Sequence, residues 1–254
     1  MKIYFAGYTS LPAIIEFVPT VLGSYLAFKG NPQKLLDQII KLKIQDFFLD
    51  SGAFSAFTQG EKIDIDEYIQ FCHVVKDKVK VMANLDVISD FDTTYKNWLH
   101  MKSKGINALP VIHFGAPEKY FDLYLKEHKV PYLALGGLVP YARQKERLKE
   151  WLDHCFFMIK DHFPMKIHLF GVISAWALRR YPAYSCDGTS WLQGGKFGST
   201  IEFNKLNIRR KAYNDFYLHA KDYKYRDIVN ARAYMLLQSE ITKLWKSRGI
   251  DWKD

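Results

Sequence analysis

Residues 47–57 read FFLDSGAFSAF. Two aromatics and a leucine, the pattern of a strand buried on both faces, run straight into Asp50 and then into three small residues before the next ring. A short apolar run that turns polar at its end and leads into a helix-like stretch is one βα unit. The same unit recurs along the chain. Strand-like runs stand at 2–7, 47–52, 79–88, 108–115, 131–137, 166–172 and 183–188, with helical patterns between them, for example at 31–44, 64–79, 93–105, 117–128 and 143–162. Asn31-Pro32 and Ala116-Pro117 have the cap-then-proline form of helix starts.

Strands alternating with helices predict an α/β fold with a parallel sheet covered by helices. Seven such units, with an eighth strand at GSTIEF (198–203), predict a TIM-type (β/α)8 barrel in a single domain spanning 1–254. An open doubly wound sheet is the rival arrangement. The first strand is not followed by GxGxxG, which counts against a dinucleotide-binding form of it. The run LPAIIEFVPTVLGSYLAF (11–28) carries Glu16 and two prolines, so it is a poor membrane span and reads as a domain helix broken at Pro19. After the seventh strand, 189–228 reads as a long basic excursion facing the substrate. A closing helix and tail follow over 229–254, with amphipathic spacing at about 227–247.

Hydrophobic residues make up 48% of the 254, enough for a large core, and the formal net charge is +9. Residues 205–254 hold 12 Lys/Arg against 6 Asp/Glu, so most of the surplus lies in the last fifth of the chain. A localised basic surplus suits a polyanion, although a solvated helix face can be equally basic. Cys72, Cys155 and Cys186 are widely spaced, with no CxxC pair, so neither a disulfide framework nor a zinc knuckle is written here. A reduced, cytoplasmic setting without a membrane is the expectation.

Polar or glycine residues recur at the strand ends: Asp50, Asn84 and Asp86, His113, Gly136-Gly137, Gly171 and Asp187. In a barrel these ends share the face on which active sites are built. One aspartate there is most simply a helix cap; three aspartates, a histidine and a glycine pair on one rim point to a site. Paired carboxylates suit cleavage of a glycosidic bond, one meeting the charge that develops on the anomeric carbon and the other handling the leaving group's proton. A glycine pair lets a planar base lie against the backbone, and it also suits a plain tight turn.

These segments carry a resemblance. LDSGAF (49–54), LALGGL (133–138), HLFGV (168–172) and SCDGTSW (185–191) resemble, in order, four motifs of the queuine/archaeosine tRNA-guanine transglycosylases. The compact, zinc-less DpdA-like branch that acts on DNA bases is most similar. The resemblance implies Asp187 as nucleophile on the sugar and Asp50 as general acid/base. It implies Asp86, Gly136 and Gly137 as base-binding groups, with His113 standing where those enzymes carry a glutamine. The tRNA enzymes hold zinc in a CxCxxC…H cluster; no cysteine follows Cys186 here, so no metal and no cofactor are expected, and a normal tRNA substrate is disfavoured.

Trp191, Lys196, Arg209, Arg210 and Lys211, with Lys221, Lys224 and Arg226 beyond them, mix rings with cations as a single-stranded polynucleotide requires. The expected partner is DNA, single-stranded or with a flipped base. A free 7-deazaguanine-type base is the second substrate if the reaction is exchange, and water if it is excision. Two other readings stay open at this point: a non-catalytic nucleic-acid-binding barrel, and a carbohydrate glycoside hydrolase using Asp50 and Asp187.

Overall fold

The computed structural model describes residues 1–192, 199–204, 206–212 and 223–253, without the side chains of 210–212. Eight parallel strands form one curled sheet: β1 Lys2–Ala6, β2 Thr20–Ser24, β3 Asp46–Asp50, β4 Val81–Met82, β5 Val111–His113, β6 Tyr132–Gly136, β7 Lys166–Leu169 and β8 Ser185–Gly188. Their spatial order is β4-β3-β2-β1-β8-β7-β6-β5. The outer strands β4 and β5 face each other across a single parallel bridge, Ala83 to Leu109, where the other neighbours share ladders. The fold is therefore TIM-like, an eight-strand curled parallel sheet of alternating β/α units, with one seam that is not laddered shut.

Seven helices of the described residues flank or follow these strands: α1 Pro32–Leu42, α2 Ala53–Gln59, α3 Ile65–Val75, α4 Phe91–Ser103, α5 Lys119–Asp122, α6 Lys145–Ile159 and α7 Ala175–Arg180. Their ends are written in the sequence. The Asn31 side chain accepts from Lys34 N–H with Pro32 in the first turn, and Asp64 and Asp90 cap α3 and α4 in the same way. The long helix Tyr223–Ser247, α8 here, packs along β1, where Gln238 Oε1 accepts from Ile3 N–H at 2.6 Å.

Strand alternation produces two cores. Residues facing outward pack with the helices in one large cluster. Those facing the concave side form a second, smaller one: Tyr4, Ala6, Leu22, Phe48, Ala83, Leu109, Val111 and Ala134. Period-two placement in strands buried on both faces gives this division.

Two expectations are corrected. The run 11–28 is not a helix broken at Pro19: after short 3-10 turns it becomes β2, buried over its first four residues and paired between β1 and β3. A fully buried parallel strand and a buried helix segment share the same apolar look. GSTIEF is accordingly not the eighth strand. Ser199–Asn204 (β9) pairs antiparallel with Asn207–Ala212 (β10) in a separate hairpin. The excursion therefore leaves the sheet after its eighth strand. Among the described residues no helix is long and apolar enough to cross a membrane.

Candidate active site

The stretch FFLDSGAFSAF ends β3 on Asp50 and turns at once into α2. Asp50 Oδ2 accepts from Gly52 N–H at 3.0 Å, and Ser51 Oγ accepts from Ala53 N–H, so the turn is held by its own side chains. Ser51 is fully buried, and its hydroxyl donates to Asp86 Oδ1 at 3.0 Å. The other oxygen of Asp86 lies 2.6 Å from His113 Nε2. Three strand ends are thereby linked, from β3 through the segment after β4 to β5.

Asp187, in β8, closes the ring from the other side. Its Oδ1 accepts from Gly171 N–H at 2.8 Å and lies 3.3 Å from His168 Nε2, while its Oδ2 takes no partner among the described residues. The side chain keeps 12% of its surface exposed. One carboxylate oxygen is anchored and the other is open.

Asp50 stands within the influence of both acids. Its carboxyl is pushed up from 3.8 to about 7, chiefly by burial and then by the negative charges of Asp86 and Asp187. The structure thus brings Asp50, Asp86, His113 and Asp187 to one rim. Near neutral pH this rim combines a proton-bearing carboxyl with a carboxylate whose free oxygen is open. That pairing is what acid-assisted displacement at a sugar carbon requires.

The glycines have specific reasons. A Cβ on Gly136 would fall 2.7 Å from Val111 Cγ1 and 2.9 Å from His113 Cδ2, so the glycine makes room for the histidine ring opposite it in register. Gly136→Ala is expected to push His113 off Asp86 and lower stability by about 1–3 kcal/mol in urea melts; an unmoved midpoint would count against this packing. Gly137 has φ +67°, and its N–H makes no hydrogen bond among the described residues, leaving a donor at the rim. Gly171 has φ +71° and a Cβ there would meet Val139 at 2.4 Å, so the N–H that anchors Asp187 depends on glycine.

Beside Asp86 opens a groove of about 690 Å³, walled by Phe57, Ile63, Ile65, Leu85 and Val87. Exposed Phe54, at 42%, sits in the first turn of α2. Across the rim, the ring of Phe114 stacks on Tyr141 at 3.8 Å, and the guanidinium of exposed Arg147 lies 4.6 Å over Tyr141.

The nucleic-acid contacts expected from the excursion fare unevenly. Trp191 is 0% exposed and its indole N–H donates to Ala6 O, so it is a core residue and not a platform for a base. Asn230 of α8 accepts from Ile201 N–H and donates to Trp191 O, which ties the start of the excursion to the helix. Arg226 is also buried, at 6%. Arg209 is exposed on β10, where the backbones of Arg210 and Lys211 also run. Lys196 and Lys221 lie outside the described residues. Cys72, Cys155 and Cys186 are free thiols, all buried. Among the described residues no group of three or more His, Cys, Asp or Glu is placed to hold a metal ion.

Sequence reading missed Ser51, Gly171 as an anchor, and a polar file behind Asp187 formed by His168, Ser185 and Tyr132. The available signal was inward alternation: in β7 the residue two before Phe170 is His168, and Ser185 lies directly across from it in register. No protein-family model matches the chain, and no curated protein matches it.

Proposed function

We propose that this protein is a glycosylase or transglycosylase that cleaves the N-glycosidic bond of an extruded nucleobase in DNA. The single bridge between Ala83 and Leu109 supports the finer fold reading, that the curled sheet works as a (β/α)8 barrel with this chemistry on its C-terminal rim. The observation that carries the functional reading is the pairing of Asp187, anchored through Oδ1 and open at Oδ2, with an Asp50 carboxyl raised to about 7.

In this reading Asp187 Oδ2 attacks C1′ of the flipped nucleotide. The bond from C1′ to the base nitrogen breaks, and the Asp50 proton passes to the departing base. The result is a sugar ester on Asp187. Asp50, now a carboxylate, takes a proton from water or from an incoming base as that nucleophile releases the ester. Water leaves an abasic site, and a base completes an exchange.

Asp86, held by Ser51 and His113, faces the base's ring N–H and amino groups, with Gly137 N–H as a donor to a carbonyl. A duplex hides both the bond and the base edge, so the target is single-stranded or flipped. Arg147 over its ring stack and Arg209 on the hairpin supply cations for flanking phosphates.

The deciding experiment incubates the purified protein with single-stranded and duplex DNA carrying normal and 7-deazaguanine-type bases, with and without free base. Alkali-labile breaks or incorporation of the free base are the expected results. No change in any base under all conditions would overturn both versions.

A further inference from the structure

Asp187 is the rim end of a file of polar groups that runs down the concave side of the sheet. Beyond the 3.3 Å approach of His168 Nε2 to Asp187 Oδ1, His168 Nδ1 lies 2.7 Å from Ser185 Oγ. Ser185 Oγ is in turn hydrogen-bonded to the hydroxyl of Tyr132. His168 and Ser185 are both 0% exposed. The His168 ring is packed by Phe48 at 4.7 Å and Phe170 at 4.4 Å between centroids, which leaves it little freedom to turn.

A serine, a histidine and an aspartate in sequence invite the reading of a nucleophilic serine. Burial rejects that: no surface reaches Ser185, and Asp187 is the member of the file that faces the open rim. The file serves the aspartate.

Its direction follows from which groups can donate. Burial holds the His168 pKa below its ordinary value, so the ring is neutral near pH 7 and carries one N–H. Nε2 faces a carboxylate, which only accepts. Nδ1 faces a hydroxyl, which can give its proton. The ring proton therefore sits on Nε2, Ser185 donates to Nδ1, and Tyr132 donates to Ser185. Nε2 makes no aligned hydrogen bond in the structure, while Gly171 N–H donates to Oδ1 at 2.8 Å. The imidazole N–H is a second donor waiting beside the same oxygen.

We propose that Tyr132, Ser185 and His168 form a one-way positioning relay, which locks the imidazole as its Nε2–H tautomer so that an N–H faces Asp187 Oδ1 and Oδ2 is turned toward the substrate. The relay rests on the reading of Asp187 as the nucleophile. Its contribution falls where the Asp187–sugar ester breaks, because charge returns to Oδ1 as the aspartate departs, and a placed N–H meets that charge.

The first test needs no activity. The full-length protein is labelled with 15N-histidine and its ring nitrogens are read by long-range proton–nitrogen correlation at pH 7, with His168 assigned among the eight histidines by its loss in His168→Gln. The expected signature is a neutral ring protonated on Nε2 in the wild type, and a mixture of tautomers in Ser185→Ala. A ring protonated on Nδ1, or an unchanged pure tautomer in Ser185→Ala, would overturn the relay.

The second test is kinetic. His168→Phe is expected to lower kcat for base release by about tenfold or more with KM for the oligonucleotide unchanged. His168→Gln, whose amide N–H can point at the same oxygen, is expected to recover most of that loss. Equal kcat in His168→Phe and wild type would overturn the proposal. If Asp187→Asn keeps its activity, it is the reading of Asp187 as nucleophile that fails, and the tautomer measurement still decides whether the relay exists.

Discussion

Replacing Asp187 by asparagine is expected to abolish the proposed base release, by at least about 10³-fold in kcat, with the fold and any affinity for DNA retained. The carboxamide has the same shape, and its oxygen still accepts from Gly171 N–H, so the anchor at Oδ1 survives. What is lost is the second anionic oxygen, the one without a partner. Asp187→Ala is expected to behave differently: it leaves the Gly171 N–H without its acceptor, and should cost about 1–3 kcal/mol of stability besides activity. Fluorescence anisotropy on a labelled oligonucleotide and a thermal melt separate these effects. An Asp187→Asn protein that still releases base would remove the nucleophile from the proposed mechanism, and loss of DNA binding with activity would make Asp187 a binding residue only.

The rim was legible because of where polarity falls. Asp50, His113 and Gly136 each follow an apolar run at the end of a strand, and in a parallel sheet such ends share one face whatever the order of the strands. Asp86 was legible for the same reason, even though β4 is only two residues long and the chain has left the sheet by Leu85. The order of the strands was less visible. Thr20–Ser24 is buried over its first four residues, so it lacks the alternation that identifies a strand, and Pro19 looked like a break in a helix. In GSTIEF the alternation was real, but a two-stranded hairpin produces it as readily as a sheet does.

Side-chain partnerships were harder still. The file from Tyr132 to Asp187 needs the register of three strands at once, with His168 opposite both Ala134 and Ser185, and no local pattern carries that information. Trp191 failed in the opposite direction. Rings interleaved with cations suggested stacking, yet an indole whose N–H finds Ala6 O in the core contributes the same letter to the pattern.

Asp50→Asn is expected to change how stability depends on pH, and the sign is fixed by the direction of the shift. The carboxyl has a folded value of about 7 against an ordinary 3.8, so between those values the native protein holds a proton that the unfolded chain has released. The contribution of this one carboxyl to wild-type stability should therefore be greatest below about pH 4, fall as pH rises toward 7, and level off above. Asparagine cannot ionise and has no such slope. The variant should gain on the wild type across the window and end ~2–4 kcal/mol ahead at pH 8, the lower part of that range allowing for water at a partly buried side chain. Urea melts at pH 4, 5.5, 7 and 8 measure the difference. The same proton predicts an alkaline limb near pH 7 in wild-type base release, because above it Asp50 has nothing to give the leaving base. The two readouts must move together, since one carboxyl produces both. A stability difference that stays flat from pH 4 to 8 would mean that Asp50 is an ordinary solvated acid, and a mechanism using it as the proton donor would then have no physical basis.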